Sequence, residues 1–180
     1  ANSKVPAGLA GLARSIADRG LVPGIWTNTS FHQRDLALAN PRYFVRTAGG
    51  APAYGNWIGY VLDGSAPGTL DTLVRPVYRE LRRMGWRYFK VDALRHLRYE
   101  GYNSNRDWFR GRGVDPVAAY RRFVQAIREE IGAESFLLGA WGIRPELAGL
   151  LDACRVGDDG FGFGGFAQYN SFNNVVWRND

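Results

Sequence analysis

Hydrophobic positions along this chain follow two periods, one typical of helices and one typical of strands. Apolar residues spaced three and four apart predict helices over 5–18, 70–84 and 116–131, each with a glycine within two residues of its end. Short apolar runs predict strands over 21–27, 57–63, 86–92, 136–141 and 153–157, with a short helix over 145–151. Because strands and helices alternate, we expect an α/β protein built from parallel βα units.

Two polar segments interrupt this alternation. Residues 28–40 and 95–113 show no regular hydrophobic period, and we expect both to be loops outside the core. The second segment is rich in tyrosine, tryptophan and asparagine, and long loops of this kind commonly serve a site. Pro76 falls inside the second predicted helix and should kink it, because proline lacks the N–H that continues the hydrogen-bond pattern.

The candidate functional residues stand at the ends of predicted strands, which favours a (β/α)8 TIM barrel over an open sheet. A closed barrel needs eight units and about 250 residues. This chain has 180 residues and room for about four to five such units. We therefore expect residues 1–180 to form one partial catalytic barrel domain that covers the middle to late βα units of a longer protein.

Composition and charge narrow the range of partners. Hydrophobic residues make up 46% of the chain, which is typical of a packed globular domain. No stretch approaches the ~20 apolar residues of a membrane span, so we expect no membrane partner. The net charge of +6 would suit nucleic acid, but the arginines are spread over helix faces, and we expect no such partner. The sequence leaves the compartment and the oligomeric state open.

Lys90 and Asp92 carry the clearest chemical signal. They lie two residues apart at the end of a predicted buried strand, so their side chains share one face of the sheet. Burying an ammonium and a carboxylate is costly unless they pair or face a wet cavity. The strand is therefore expected to end in a cleft, with a structural ion pair as the alternative. A lysine here is notable because Lys4 is the only other lysine in the chain.

A second carboxylate follows the last predicted strand. By the same alternation, Arg155 and Asp159 share a face, and Asp158 points the other way. Cleavage of a glycosidic bond with retention needs one carboxylate as nucleophile and one carboxylic acid as proton donor, roughly 5–5.5 Å apart. Asp92 suits the nucleophile, because the nearby Lys90 ammonium favours its ionised form. Asp159 would be the acid/base, and a helix cap at the strand end is its alternative role.

Five segments, in chain order, resemble the catalytic barrel of the melibiase-type α-galactosidases of glycoside hydrolase family 36, whose clan includes family 27. The segments are Pro23-Gly24-Ile25-Trp26, Gly85 to Asp92, Leu137-Leu138-Gly139 with Pro145, Leu151 to Asp159, and Val176 to Asp180. The resemblance implies a retaining α-glycosidase, with terminal α-galactosides as the expected substrates.

The resemblance also implies roles for single residues. Asp92 would be the nucleophile and Asp159 the acid/base. Lys90 and Arg155 would bind the sugar hydroxyls, and Trp26 and Trp141 would line the sugar subsite. The chain departs from the family pattern after its fifth strand, where a cysteine-bearing loop is replaced by the segment Gly139 to Gly142.

We expect no cofactor and no metal, since His32 and His96 are too few and too far apart in sequence to build a metal site. His96 is expected at the surface. Two other functions fit the sequence: a barrel lyase that forms a Schiff base on Lys90, and a non-catalytic barrel relative that binds carbohydrate. Borohydride trapping with a carbonyl substrate would identify the first.

Overall fold

The computed structural model describes residues 4–55, 58–66, 68–140 and 145–155. The strands are β1 (Gly24–Thr27), β2 (Phe31–His32), β3 (Tyr54–Gly55), β4 (Gly59–Val61), β5 (Tyr88–Val91), β6 (Phe136–Gly139) and β7 (Ala153–Cys154). The α-helices are α1 (Gly8–Ala17), α2 (Arg34–Ala39), α3 (Arg75–Arg83), α4 (Leu94–His96), α5 (Arg106–Arg110) and α6 (Pro116–Ile131). Short 3-10 turns cover Pro41–Tyr43 and Pro145–Leu147, and π-helical turns cover Leu70–Val74 and Leu97–Asn103.

A parallel sheet of four strands forms the centre of the fold, in the order β1-β5-β6-β7. Its register aligns Trp26 with Lys90, and Lys90 with Leu138. The sheet is not closed into a barrel in the described part of the chain. The predicted α/β class and parallel strands are therefore confirmed, and the sheet supplies half of the eight strands that a closed barrel needs.

The core lies on one face of this sheet. Phe89, Val91 and Leu137 are buried there against α1, α3 and α6. Helix α6 follows the predicted pattern closely, because the Asp115 carboxylate accepts hydrogen bonds from the N–H groups of Val117 and Ala118 and so caps its first turn. The apolar contacts between the sheet and the three helices keep the strands, and therefore their ends, in a fixed position.

The opposite face of the sheet is open. Tyr88 and Phe136 stack on it with ring centroids 5.1 Å apart, and Trp26 and Lys90 occupy the next row. In a closed barrel this face would point to the interior.

The segment predicted as a polar loop at 28–40 contains β2 and α2, so this prediction was wrong. Strand β2 pairs with β4, and β4 pairs with β3, in a second sheet that is antiparallel throughout. Strand and helix therefore do not alternate along the whole chain. Strands of two residues carry no detectable period, which explains why the sequence pattern missed them.

The segment 95–113 is largely helical, which also contradicts the prediction of a loop outside the core. Tyr102 and Phe109 are fully buried, with ring centroids 4.8 Å apart. The Tyr102 hydroxyl donates to the Leu62 carbonyl and accepts from the Gly64 N–H. Burial raises the pKa of this hydroxyl, which stays neutral and so can serve both bonds. This segment packs against the antiparallel sheet.

Pro76 lies at the start of α3, directly after the π-helical turn of Leu70–Val74. A wide turn tolerates the missing N–H of proline, because the residues around it already depart from the regular α-helical bonding pattern. In the parts of the chain that the structure describes, no helix is long and apolar enough to cross a membrane.

Candidate active site

The carboxyl ends of the parallel strands meet along one edge of the sheet. There the N–H of Asp92 donates to the Thr27 carbonyl, and the N–H of Arg155 donates to the Gly139 carbonyl, each at 2.9 Å. These bonds extend the strand ladder by one residue beyond β5 and β7. Asp92 and Arg155 are thus two strands apart, about 10 Å between backbones at the usual strand spacing.

Both oxygens of the Asp92 carboxylate are held by N–H donors. Oδ2 accepts from the indole Nε1 of Trp26 at 2.8 Å, and Oδ1 accepts from the backbone N–H of Ala93 at 2.7 Å. Hydrogen bonds to a charged acceptor are short and strong. The carboxylate is therefore held in one orientation, half-buried, at the end of β5.

Trp26 presents its ring to solvent beside this carboxylate. Its side chain is 56% exposed, although its N–H is used by Asp92. A large aromatic residue at the surface is a common platform for the apolar face of a ligand. The position fits the expected role of Trp26 in a sugar subsite, which stays a prediction.

Lys90 lies on the same face as Trp26 and is half-buried. No ion pair links it to Asp92 or to another carboxylate among the residues with described positions. The two N–H donors on Asp92, rather than a salt bridge, thus supply the direct contacts of the carboxylate.

The backbone directly after Asp92 is strained. Ala93 has φ +59°, in the left-handed region that residues other than glycine seldom adopt. The N–H of the same residue donates to Oδ1 of Asp92. Strained backbone next to a polar side chain at a strand end is a common property of functional sites.

His96 is buried, with 6% of its surface exposed, so the expectation of a surface histidine was wrong. Burial lowers the pKa of its imidazole, and the charge of Arg95 lowers it further, while the charges of Glu100 and Asp92 oppose this shift. Burial therefore favours the neutral form of His96 near Asp92. The described residues contain no cluster of His, Cys, Asp or Glu that could hold a metal ion.

Two of the predicted site residues, Trp141 and Asp159, lie outside the described residues. The distance between the Asp92 and Asp159 carboxylates, on which a retaining mechanism depends, therefore remains a prediction. Of the other four, the structure brings Trp26, Lys90 and Asp92 together on adjacent strands, and it places Arg155 at the same edge of the sheet.

Sequence reasoning missed Asn28, which follows β1 as Asp92 follows β5. Its side-chain oxygen accepts hydrogen bonds from the N–H and the hydroxyl of Ser30, at 3.2 Å and 2.9 Å. By continuation of the strand register, in which Thr27 pairs with Val91, Asn28 lies beside Asp92 at the strand ends. The rule that strand ends carry functional residues would have identified Asn28 if it had been applied to β1 as well.

Comparison with solved structures finds glycoside hydrolases. The chain superposes on the α-galactosidase TtGalA from Thermus thermophilus, in complex with p-nitrophenyl α-D-galactopyranoside, with a TM-score of 0.70 and 27% identity. That match covers 88% of this chain and 31% of TtGalA. The chain thus spans about a third of the length of this enzyme. No family model matches the sequence.

Two more distant structures share the fold. The glycoside hydrolase domain of PelA from Pseudomonas aeruginosa matches with a TM-score of 0.58 and 19% identity, over 81% of this chain and 54% of that one. The family 36 α-galactosidase AgaA A355E from Geobacillus stearothermophilus, in complex with 1-deoxygalactonojirimycin, matches at 0.53 and 19%, over 75% and 19%. The chain therefore has the fold of part of a glycoside hydrolase barrel, of the type found in families 36 and 27.

Proposed function

We propose that this chain is part of a retaining α-glycosidase that hydrolyses terminal α-galactosides. The observation that carries the proposal is the Asp92 carboxylate, held by Trp26 Nε1 and the Ala93 N–H at the carboxyl end of a parallel strand. In barrel enzymes the catalytic groups stand at this end of the strands. The similarity to TtGalA, at 27% identity, supports the choice of α-galactosides.

In the proposed reaction, Asp92 attacks the anomeric carbon while Asp159 protonates the leaving oxygen. Asp159 then takes a proton from water, and this water displaces Asp92 from the covalent glycosyl-enzyme. Two inversions preserve the configuration of the sugar. An acid and a nucleophile suffice for this chemistry, so no step of the proposed reaction requires a metal or an organic cofactor.

The other proposed residues bind the sugar. Lys90 and Arg155 would donate to its hydroxyl groups, while the exposed ring of Trp26 would pack against its apolar face. Trp141 would complete the subsite. The open face of the sheet supports these roles for Trp26 and Lys90, since both side chains project from it in the same row.

A panel of p-nitrophenyl α-glycosides, assayed with the full-length protein, tests this function. We expect turnover of the α-galactoside, and proton NMR at early times should show the α-anomer of galactose as the first product. A β-anomer as the first product would refute the retaining mechanism. Sugar binding without turnover of any glycoside would instead indicate a non-catalytic carbohydrate-binding protein.

Replacing Trp26 with phenylalanine should lower kcat/KM by about tenfold to a hundredfold, because it removes a hydrogen bond to a charged group worth roughly 1.5–3 kcal/mol. The ring remains in place. Trp26→Ala, which also removes the ring, should in addition raise KM. Equal kcat/KM for Trp26→Phe and the unmodified protein would show that the indole N–H does not contribute to the orientation of Asp92.

A further inference from the structure

Two cavities away from Asp92 share the same three side chains in their walls. A cavity of about 550 Å³ and another of about 320 Å³ are both lined by Arg46, Trp108 and Arg112. We call these three residues the Arg46–Trp108–Arg112 cluster. The segments that carry it follow β1 and β5, the strands that position Trp26 and Asp92. None of these residues takes part in the proposed glycosidase chemistry.

Asp63 is the carboxylate at the base of the cluster, and its hydrogen-bonding capacity is used within the protein. Oδ1 accepts from the N–H of Ser65 at 2.9 Å and from its hydroxyl at 2.6 Å. Oδ2 accepts from Trp108 Nε1 at 2.9 Å and from Arg112 Nη1 at 2.6 Å. The Asp63 side chain is fully buried, so it orients Trp108 and Arg112 but has no capacity left for Arg46.

Positive charge exceeds negative charge in the smaller cavity. Arg42, Arg46 and Arg112 line it together with one carboxylate, that of Asp63. Three positive charges against one negative charge leave an excess of two. Asp107 adds a carboxylate to the larger cavity, but this side chain is 86% exposed and pairs with Arg110. The acidic groups that the structure describes near the cluster therefore do not neutralise it.

Arg46 is the member of the cluster without an acceptor. It is half-buried, its Nε is shielded from solvent, and in the described part of the chain its guanidinium makes no hydrogen bond or ion pair. The guanidinium carbon of Arg46 lies 5.7 Å from the centroid of the Trp108 ring, and that of Arg112 lies 4.8 Å from the same ring. A desolvated Nε–H without an acceptor is costly, and an oxyanion in the cavity would relieve this cost.

We propose that the Arg46–Trp108–Arg112 cluster binds an oxyanion group, and that this group is carried on a sugar ring. Arginine forks match the geometry of carboxylate, sulfate and phosphate, and the Trp108 ring offers an apolar surface beside them. This assignment rests on the proposed function only in its choice of a sugar as the carrier. It gives the protein a second binding site, specific for acidic saccharides.

Isothermal titration of the full-length protein with D-galacturonate, D-galacturonamide and inorganic sulfate tests the proposal. We expect D-galacturonate to bind at least about tenfold more tightly than the neutral amide, and to weaken as ionic strength rises. Because these probes contain no glycosidic bond, the result is independent of whether the protein hydrolyses glycosides. Equal affinity for the acid and the amide would overturn the proposal.

Arg46→Gln is the informative variant. Because the Arg46 side chain has no described acceptor, its replacement breaks no described hydrogen bond or ion pair and should leave the fold intact. It should weaken D-galacturonate binding by at least about tenfold. Arg122→Gln, an exposed position on α6 with the same change in charge, should bind as the unmodified protein does. Unchanged binding in Arg46→Gln would overturn the site. If sulfate binds as tightly as D-galacturonate and both are lost in Arg46→Gln, the oxyanion site is supported and its sugar carrier is refuted.

Discussion

Replacing Asp92 with asparagine should lower kcat for the α-galactoside by about 10⁴-fold or more, the scale of loss seen when a covalent nucleophile is removed. Asparagine keeps the shape of the side chain, and its carbonyl oxygen can still accept from Trp26 or from the Ala93 N–H. It cannot form the glycosyl ester. The measurement is kcat of the full-length protein, with circular dichroism to confirm that the fold is retained.

Asp71→Asn provides a matched control for this experiment. The Asp71 side chain is 74% exposed and pairs with Arg75 on the surface, far in sequence from the strand ends. The activity of the Asp71→Asn variant should therefore equal that of the unmodified protein. A mechanism-based fluorinated α-galactoside gives a second readout, because it should add its mass to the peptide that contains Asp92. Residual activity of Asp92→Asn within tenfold of the unmodified protein, or labelling of another carboxylate, would contradict the assignment.

Replacing Asp63 with asparagine should destabilise the protein by about 3–5 kcal/mol, because it leaves the Arg112 charge partly buried without its counter-ion. The side-chain NH2 of asparagine would also face other donors instead of acceptors, because Ser65 N–H, Trp108 Nε1 and Arg112 Nη1 all donate to Asp63. Urea unfolding followed by tryptophan fluorescence measures the free-energy difference.

Asp107→Asn is the control for stability, because its side chain is 86% exposed and its loss should cost less than about 0.5 kcal/mol. A cost below about 1 kcal/mol for Asp63→Asn would mean that the four bonds to this carboxylate contribute little, in contrast to the usual cost of a broken buried pair. A large cost would identify Asp63 as the residue that joins the segments after β1 and β5.

Local patterns predicted the parallel sheet well. The alternation of Lys90 with its buried neighbours Phe89 and Val91 was visible in the sequence, and so was the capping of α6 by Asp115. Each of these features depends on residues only a few positions apart. The strand-end rule then led to Asp92, the central residue of the candidate site.

The antiparallel sheet and the helical segment after β5 could not be predicted in the same way. Tyr102 can be buried without an unsatisfied hydroxyl because this group bonds to the backbone of Leu62 and Gly64, about 40 positions earlier. The Arg46–Trp108–Arg112 cluster joins residues that are similarly distant along the chain. In the sequence alone, the polar and aromatic residues of these segments resemble those of a solvated loop, because the tertiary contacts that bring them together are not visible there.

The left-handed backbone at Ala93 has a consequence for engineering this protein. Alanine in this conformation costs about 1 kcal/mol relative to glycine, so selection for a higher melting temperature alone would favour glycine at this position. Glycine would also free the peptide that holds Oδ1 of Asp92 to rotate. If Asp92 acts as the proposed nucleophile, libraries selected for thermal tolerance should therefore be screened for turnover in parallel.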